Sequence, residues 1–393
     1  MTAAGQCHLL AAWDLMTAVR YGENDRIWQL LVPRRAPAAS PPETVYERTT
    51  TPFSELDGRL LSADVNSHLL EPSRSFRQHE SLTILRTGGY VVPDGGWIIS
   101  GSRTLVDSCL IDADYAARPS FRRYLRARLR IGGAIREVPR LIHLRDRGEA
   151  NYWHFLNDLI GGRVRLAQTT GMDADVPLLI GRRAFEQPFV QDILNSTALA
   201  RMNVIVQDEE LVHCQEAVYF QTPRHSLESV NFFLDFLGAP GGRASATKRV
   251  LVIRGERAAR RISNLTEVEA VCRQHGFEAV RPDTLPLREQ TRLFSQIRYL
   301  VAEHGAGLTN MAFRRGAPLG VLEIFSGWTY TYLGGLIGHP PPHYFWLAHM
   351  LGFQYEAMAG SGTRGNALNE TFAVDPARLE EKLSNLLRGR VRA

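Results

Sequence analysis

Apolar positions along this chain fall into two spacings. Beyond Arg140, short continuous apolar runs alternate with longer stretches in which apolar residues recur every three or four positions. The first spacing suits strands buried on both faces, the second helices with one buried face. RLIHLR (140–145) predicts a strand, NYWHFLNDLIGGRVRLAQ (151–168) a helix, VPLLIG (176–181) a strand and AFEQPFVQDILNSTAL (184–199) a helix. MNVIVQ (202–207) and AVYFQ (217–221) predict further strands, and LESVNFFLDFL (227–237) a helix that stops at Gly238. Such alternation specifies βα units on a parallel sheet.

After APGGRASATK (239–248), a stretch of small residues and turn formers that reads as a linker, the alternation begins again. KRVLVIR (248–254) predicts a strand. Asn264 is placed to cap the next helix, with Glu267 as the other half of a capping box and Gly276 as its end. FEAVRP, LREQTRLFSQI, YLVAEH, LTNMAFRRG and GVLEIF continue as strand, helix, strand, short helix and strand, and Asp375-Pro376 opens a terminal helix. Upstream, SLTILRTGGYVV and GGWIIS read as short strands between turns, and PRRAPAASPP (33–42) as a connector. The expected architecture is α/β. An N-terminal extension with irregular or β segments (1–80) precedes an α/β domain (81–240) and a second one (241–393) that carries the C-terminal helix. Two domains also suit 393 residues.

Composition changes this picture little. Hydrophobic residues at 44% and charged residues at 22% describe a folded protein. The net charge of +5 comes almost wholly from arginine, with only Lys248 and Lys382 as lysines, and is too mild to make nucleic acid the partner. Cys7, Cys109, Cys214 and Cys272 show no ligand spacing and read as reduced structural thiols. No apolar run has the length of a membrane span and the start lacks a basic-then-apolar leader, so a cytoplasmic protein is expected.

Chemistry enters at YLVAEHGAGLTNMAF (299–313), where a strand runs into His304, Gly305, Ala306 and Gly307 and then into a helix. The open end of a parallel sheet is where α/β proteins bind ligands, and a helix start there offers unpaired N–H groups. Glycines let an anion come close to the backbone, so phosphate or pyrophosphate is the expected guest. Glu323 stands where an acidic residue can accept ribose hydroxyls. Arg254, Arg257, Arg260 and Arg261 follow the first strand of the same domain and can grip the same phosphates with forked donors. A dinucleotide fingerprint would need a third glycine where Asn310 stands, and would open the first βα unit rather than the third. The plain structural readings are a turn without ligand and, for His304, a core histidine bonded to a backbone carbonyl.

The order of motifs resembles a known family. V-I-R-x-x-x-x-x-R-R-x-x-N-L-x-E-V (252–268), L-x-x-Q (287–290), H-G-A-G-L-T-N (304–310) and V-L-E-I (321–324), with N-Y-W-H-F-L-N-D (151–158) upstream, is similar to glycosyltransferase family 61 over roughly Leu141–Phe325. The resemblance implies an inverting enzyme of the GT-B fold, two Rossmann-like domains facing across a cleft. A nucleotide-sugar donor would sit on the C-terminal domain and a saccharide or lipid-linked saccharide acceptor on the N-terminal one. Bacterial relatives serve capsule, exopolysaccharide or lipopolysaccharide assembly. On this reading Arg254, Arg260, Arg261, Asn264, His304, Gly305, Ala306, Gly307, Leu308, Thr309, Asn310 and Glu323 bind the donor. Fixed N–H groups at 305–308 and an arginine would stabilise the leaving diphosphate with no metal and no cofactor.

The base is then expected on the acceptor side. His154 and Asp158, four apart, share one helix face, so either can take the acceptor proton or Asp158 can orient His154. Trp153 and Asn157 would face the acceptor, and Glu303 is the second-choice base. Isolated D-x-D strings at 112–114 and 173–175 are weak signals for a metal. RPSFRRYLRARLRIGGAIR (118–136), with seven arginines and no acid, is amphipathic and suited to peripheral contact with an anionic membrane face. The competing functions are a nucleotide-binding or scaffold protein that has lost catalysis and, behind it, an NAD-type dehydrogenase.

Overall fold

The structure, a computed structural model, describes residues 42–50, 77–105, 135–255, 261–326, 343–362 and 371–389, apart from 94, 101–102, 147, 173–174, 209 and 223–224. The chain divides into two compact units. One holds chiefly His79–Val190 and Leu199–Pro223, the other chiefly Arg224–Ala393 with Gln191–Ala198.

The first unit is built on a mixed sheet. Strand Leu211–Gln221 runs parallel to Ile135–His143, which runs parallel to Leu178–Gly181, itself parallel to Val204–Gln207. The upstream strands add antiparallel: Gln78–Leu85 and Gly89–Val91 pair with Leu211–Gln221, and Ile98–Ser100 with Gly89–Val91. Leu141, Leu179, Val212, Ala217 and their neighbours form a buried apolar core. The expected α/β character therefore holds, with an antiparallel extension that short β pieces between Gly turns announce.

The second unit contains a fully parallel five-stranded sheet of Lys248–Val252, Glu278–Val280, Ile297–Glu303, Gly320–Phe325 and Gln354–Ala359. Numbered along the chain, the strands lie in the order second, first, third, fourth, fifth. That order has a topological switch point between the first and third strands, the place where doubly wound sheets bind ligands. The fifth strand and the helix before it, His343–Met350, are additions to the expected elements. Helix Pro376–Arg388 starts as expected, with Asp375 accepting from the N–H groups of Ala377 (2.9 Å) and Arg378 (3.4 Å).

The expected boundary near 240 meets a different arrangement. Helix Leu227–Phe236 belongs with the second unit, because Arg315 pairs with Asp235 at 2.6 Å and donates to Asn231 at 3.3 Å. The supposed linker is tied down there as well, with Gly242 N–H donating to Arg315 O and Arg243 N–H to Ser295 O. Cys214 and Cys272 are free thiols, and burial pushes both up to about 12. Among the described residues no helix is long and apolar enough to cross a membrane. The amphipathic segment 118–136 and the Asp112 string lie outside the described residues save for the strand at 135–136; of the second string only Asp175 is described.

Candidate active site

In the first unit the chain leaves strand Ile135–His143, turns through 144–151 and enters a helix. Asn151 caps it, its Oδ1 accepting from the N–H groups of Trp153 (3.0 Å) and His154 (3.5 Å). From His154 to Val164 the helix is wide, with Arg165 N–H reaching back to Ile160 O, five residues away. Such π segments are rare and favour functional sites. Gly162 within it fits closely against Thr222, whose Cβ a side chain there would meet at 2.8 Å.

The expected His154–Asp158 pair forms on this helix, Nδ1 to Oδ2 at 2.7 Å. Asp158 is 3% exposed and also accepts from Asn157 Nδ2 at 2.7 Å, while the His154 side chain stays 27% exposed. An ionised Asp158 accepts the Nδ1 proton and so leaves Nε2 of a neutral His154 as the basic nitrogen. Trp153 and Asn157, expected to face an acceptor, are both buried. Asn157 instead orients Asp158, since one carboxylate oxygen takes its amide and the other takes the imidazole.

Sequence reasoning missed the buried charges around this helix. Arg163 donates to Asp146 Oδ2 and to the carbonyl of Arg145, both at 2.9 Å. Arg145 donates to Glu149, Gln207 and the carbonyl of Pro93. Burial raises the Asp146 and Glu149 carboxyls above the ordinary range while the arginines pull them down. His143 is buried against the carbonyl of Gly96 (2.6 Å), and burial pushes its imidazole down to about 3. The signal was the density of ionisable residues in H-L-R-D-R-G-E, which begins at the last residue of the strand Ile135–His143.

In the second unit the switch point brings together the ends of strands Lys248–Val252 and Ile297–Glu303. Gly305 has φ 150° and ψ −177°, a backbone conformation essentially restricted to glycine. It turns the chain into the 3₁₀ helix Ala306–Arg314. Leu308 N–H is spent on the carbonyl of Gly305 (2.9 Å), so the donors that precede the first helical bond are those of Ala306 and Gly307. Gly307 is small for a second reason: a Cβ there would stand 3.0 Å from Val252 Cγ1, so the helix packs tightly on the sheet. Leu308, Thr309 and Asn310 are buried, and Asn310 bonds back to the carbonyl of Gly307 at 3.2 Å.

Four further members of the expected donor set have partners of their own. Arg254 forms an ion pair with Glu303 and donates to the carbonyl of His304 at 2.5 Å. Glu303, the second-choice base, is thereby committed to a cation. Arg261 lies on a separate three-stranded sheet beside Thr371, and Arg257 and Arg260 lie outside the described residues. Asn264 makes no capping bond; its amide clasps Val374, taking that residue's N–H at 3.0 Å and donating to its carbonyl at 2.8 Å. Glu323, expected to receive ribose hydroxyls, is completely buried and accepts from His304 Nδ1 (2.5 Å) and Tyr355 Oη (2.6 Å). His304 is accordingly held by a carboxylate and stacked on Phe325, with ring centroids 5.1 Å apart.

Comparison with known proteins adds one match. The model of the family described as Glycosyltransferase 61 fits residues 152–319, which include His154, Asp158, Arg254, Glu303, His304 and the Gly305 turn. No curated protein matches the chain.

Proposed function

With residues 152–319 belonging to glycosyltransferase family 61, we propose that the protein is an inverting, nucleotide-sugar-dependent glycosyltransferase of the GT-B type. The second unit holds the donor and the first deprotonates a hydroxyl acceptor. The observation that carries this reading is the Gly305 turn at the sheet's switch point, where Ala306 and Gly307 N–H groups stand beside a charged strand end. A diphosphate is the chemistry that such fixed donors suit.

His154 Nε2 takes the proton of the acceptor hydroxyl while Asp158 stabilises the imidazolium that results. The acceptor oxygen bonds to the anomeric carbon as the bond from that carbon to the donor phosphate breaks. Charge then grows on the departing diphosphate, and the Ala306 and Gly307 N–H groups oppose it. Arg254, already paired with Glu303, contributes less than an unpaired guanidinium would. No metal has a part in this scheme. Its setting is the assembly of a surface polysaccharide or glycolipid, in which the arginine-flanked segment 118–136 has an evident use at an anionic membrane face.

A thermal-shift panel of UDP, GDP, CMP and their sugars, with and without chelator, tests the proposal. Stabilisation by one nucleotide class in the presence of chelator is expected. Stabilisation only with Mn²⁺ or Mg²⁺ would overturn the metal-free scheme, and none with any nucleotide would overturn the donor site.

A further inference from the structure

Three buried or half-buried groups from three adjacent parallel strands form a chain that the donor scheme leaves unused. His304 follows strand Ile297–Glu303, Glu323 lies in Gly320–Phe325, and Tyr355 lies in Gln354–Ala359. Parallel register puts Glu323 level with Ala302 on one side and Ala357 on the other, so its carboxylate sits between the flanking strands. Tyr355 donates to one of its oxygens at 2.6 Å and His304 Nδ1 meets the other at 2.5 Å. Glu323 and Tyr355 are 0% and 2% exposed. Phe325 stacks on the imidazole and Tyr344 meets it edge-on, with centroids 5.6 Å apart. Arg254, from the neighbouring strand end, holds the His304 carbonyl and pairs with Glu303. The ring is thus fixed on its faces, at Nδ1 and at its backbone.

We propose that Tyr355 is a positioning residue for the donor site, setting through Glu323 the tautomer and the proton affinity of His304. The proposal rests on the donor reading only for the ligand's identity. Tyr355 can act as a steady donor because burial, and then the Glu323 charge, raise its phenol well above its ordinary range. Its hydrogen bond disperses part of the Glu323 charge, which tempers the pull of that carboxylate on an imidazolium. A diphosphate arriving at the Gly305 turn adds negative charge beside His304. His304 then takes up a proton from solvent, and the Glu323–imidazolium pair presents a neutral support to the ligand. Affinity for a diphosphate accordingly declines as pH rises through the His304 midpoint.

Imidazole NMR titration of the full chain, with the His304 signal assigned from its loss in His304→Asn, measures the relay without any ligand. Tyr355→Phe should raise the His304 midpoint by on the order of one pH unit, because Glu323 loses the donor that disperses its charge and then holds an imidazolium more strongly. Glu323→Gln should lower it, because the anion is gone. Shifts of opposite sign are not expected of two merely structural lesions; shifts of one sign, or none, would overturn the relay. If Tyr355→Phe does not fold, Glu323→Gln alone decides, since an unlowered midpoint contradicts the proposal. Isothermal titration with UDP and with GDP in buffers of different ionisation enthalpy then tests the ligand. Proton uptake that Glu323→Gln diminishes supports the link to the donor. Opposite NMR shifts without nucleotide-linked uptake would keep the relay and overturn its connection to a diphosphate.

Discussion

Two of the histidine–carboxylate pairs among the described residues belong to the candidate site, His154–Asp158 and His304–Glu323, and they are built in opposite ways. His154 and Asp158 meet within one helix, four residues apart, and the imidazole stays 27% exposed. His304 and Glu323 meet across two neighbouring parallel strands, and the imidazole is 12% exposed and stacked on an aromatic ring. A half-open histidine with a buried carboxylate behind it suits proton exchange with a ligand. A ring fixed on its faces by aromatics, at Nδ1 by a carboxylate and at its backbone by Arg254 suits holding one. The same two side-chain types therefore do different work because their supports differ.

The sharpest way to break this comparison is to remove the exposed histidine. His154→Asn is expected to lower turnover by about 10²–10⁴-fold, the range typical of lost general-base catalysis. Initial rates at saturating donor measure this, and a change under about tenfold would move the base elsewhere. Next in size is the buried support of that unit. Arg163→Met leaves Asp146 buried without its guanidinium and should cost about 3–5 kcal/mol in urea unfolding. The loss should shrink as pH falls, because a protonated Asp146 no longer needs a cation.

In the second unit, Gly305→Ala puts a side chain on a glycine-only conformation, with an expected stability loss of about 1–3 kcal/mol. Nucleotide affinity should fall with it, while an unaltered affinity in titration calorimetry would detach the turn from the donor. The smallest effect concerns a third histidine that belongs to neither pair. His143 has its folded midpoint at about 3 against an ordinary 6.5, so below 6.5 the unfolded chain gains a proton that the native state refuses. Its share of stability is therefore lost as pH falls, by about 1 kcal/mol between pH 6.5 and roughly 5.5. His143→Gln should flatten that part of the stability–pH curve.

The contrast also explains what the sequence could show. His154 and Asp158 are legible because a helix brings positions four apart together whatever surrounds it. The second series of strands and helices is legible because fully buried strands are written as unbroken apolar runs. The Glu323–Tyr355 bond is not legible, since it depends on parallel register between strands 32 residues apart. Glu323 reads as a ribose contact because its position in the chain suits one, while its burial between neighbouring strands is a tertiary fact. Asn264 shows the same limit: its spacing to Glu267 suggests a capping box, and the two side chains do bond at 3.1 Å, but the amide also clasps the backbone of Val374, 110 residues on, which no spacing announces.

The central claim is a division of labour, with chemistry assigned to one unit and donor binding to the other. Paired measurement of kcat and nucleotide Kd for Asp158→Asn tests it most directly, using the nucleotide that stabilises the native protein. The expected result is kcat reduced roughly a hundredfold or more with Kd within about twofold of the parent, since the role assigned to Asp158 is to orient and charge-balance His154 rather than to touch the donor. A Kd weakened in proportion to kcat would contradict it, because the helix at 154–164 would then belong to the donor site.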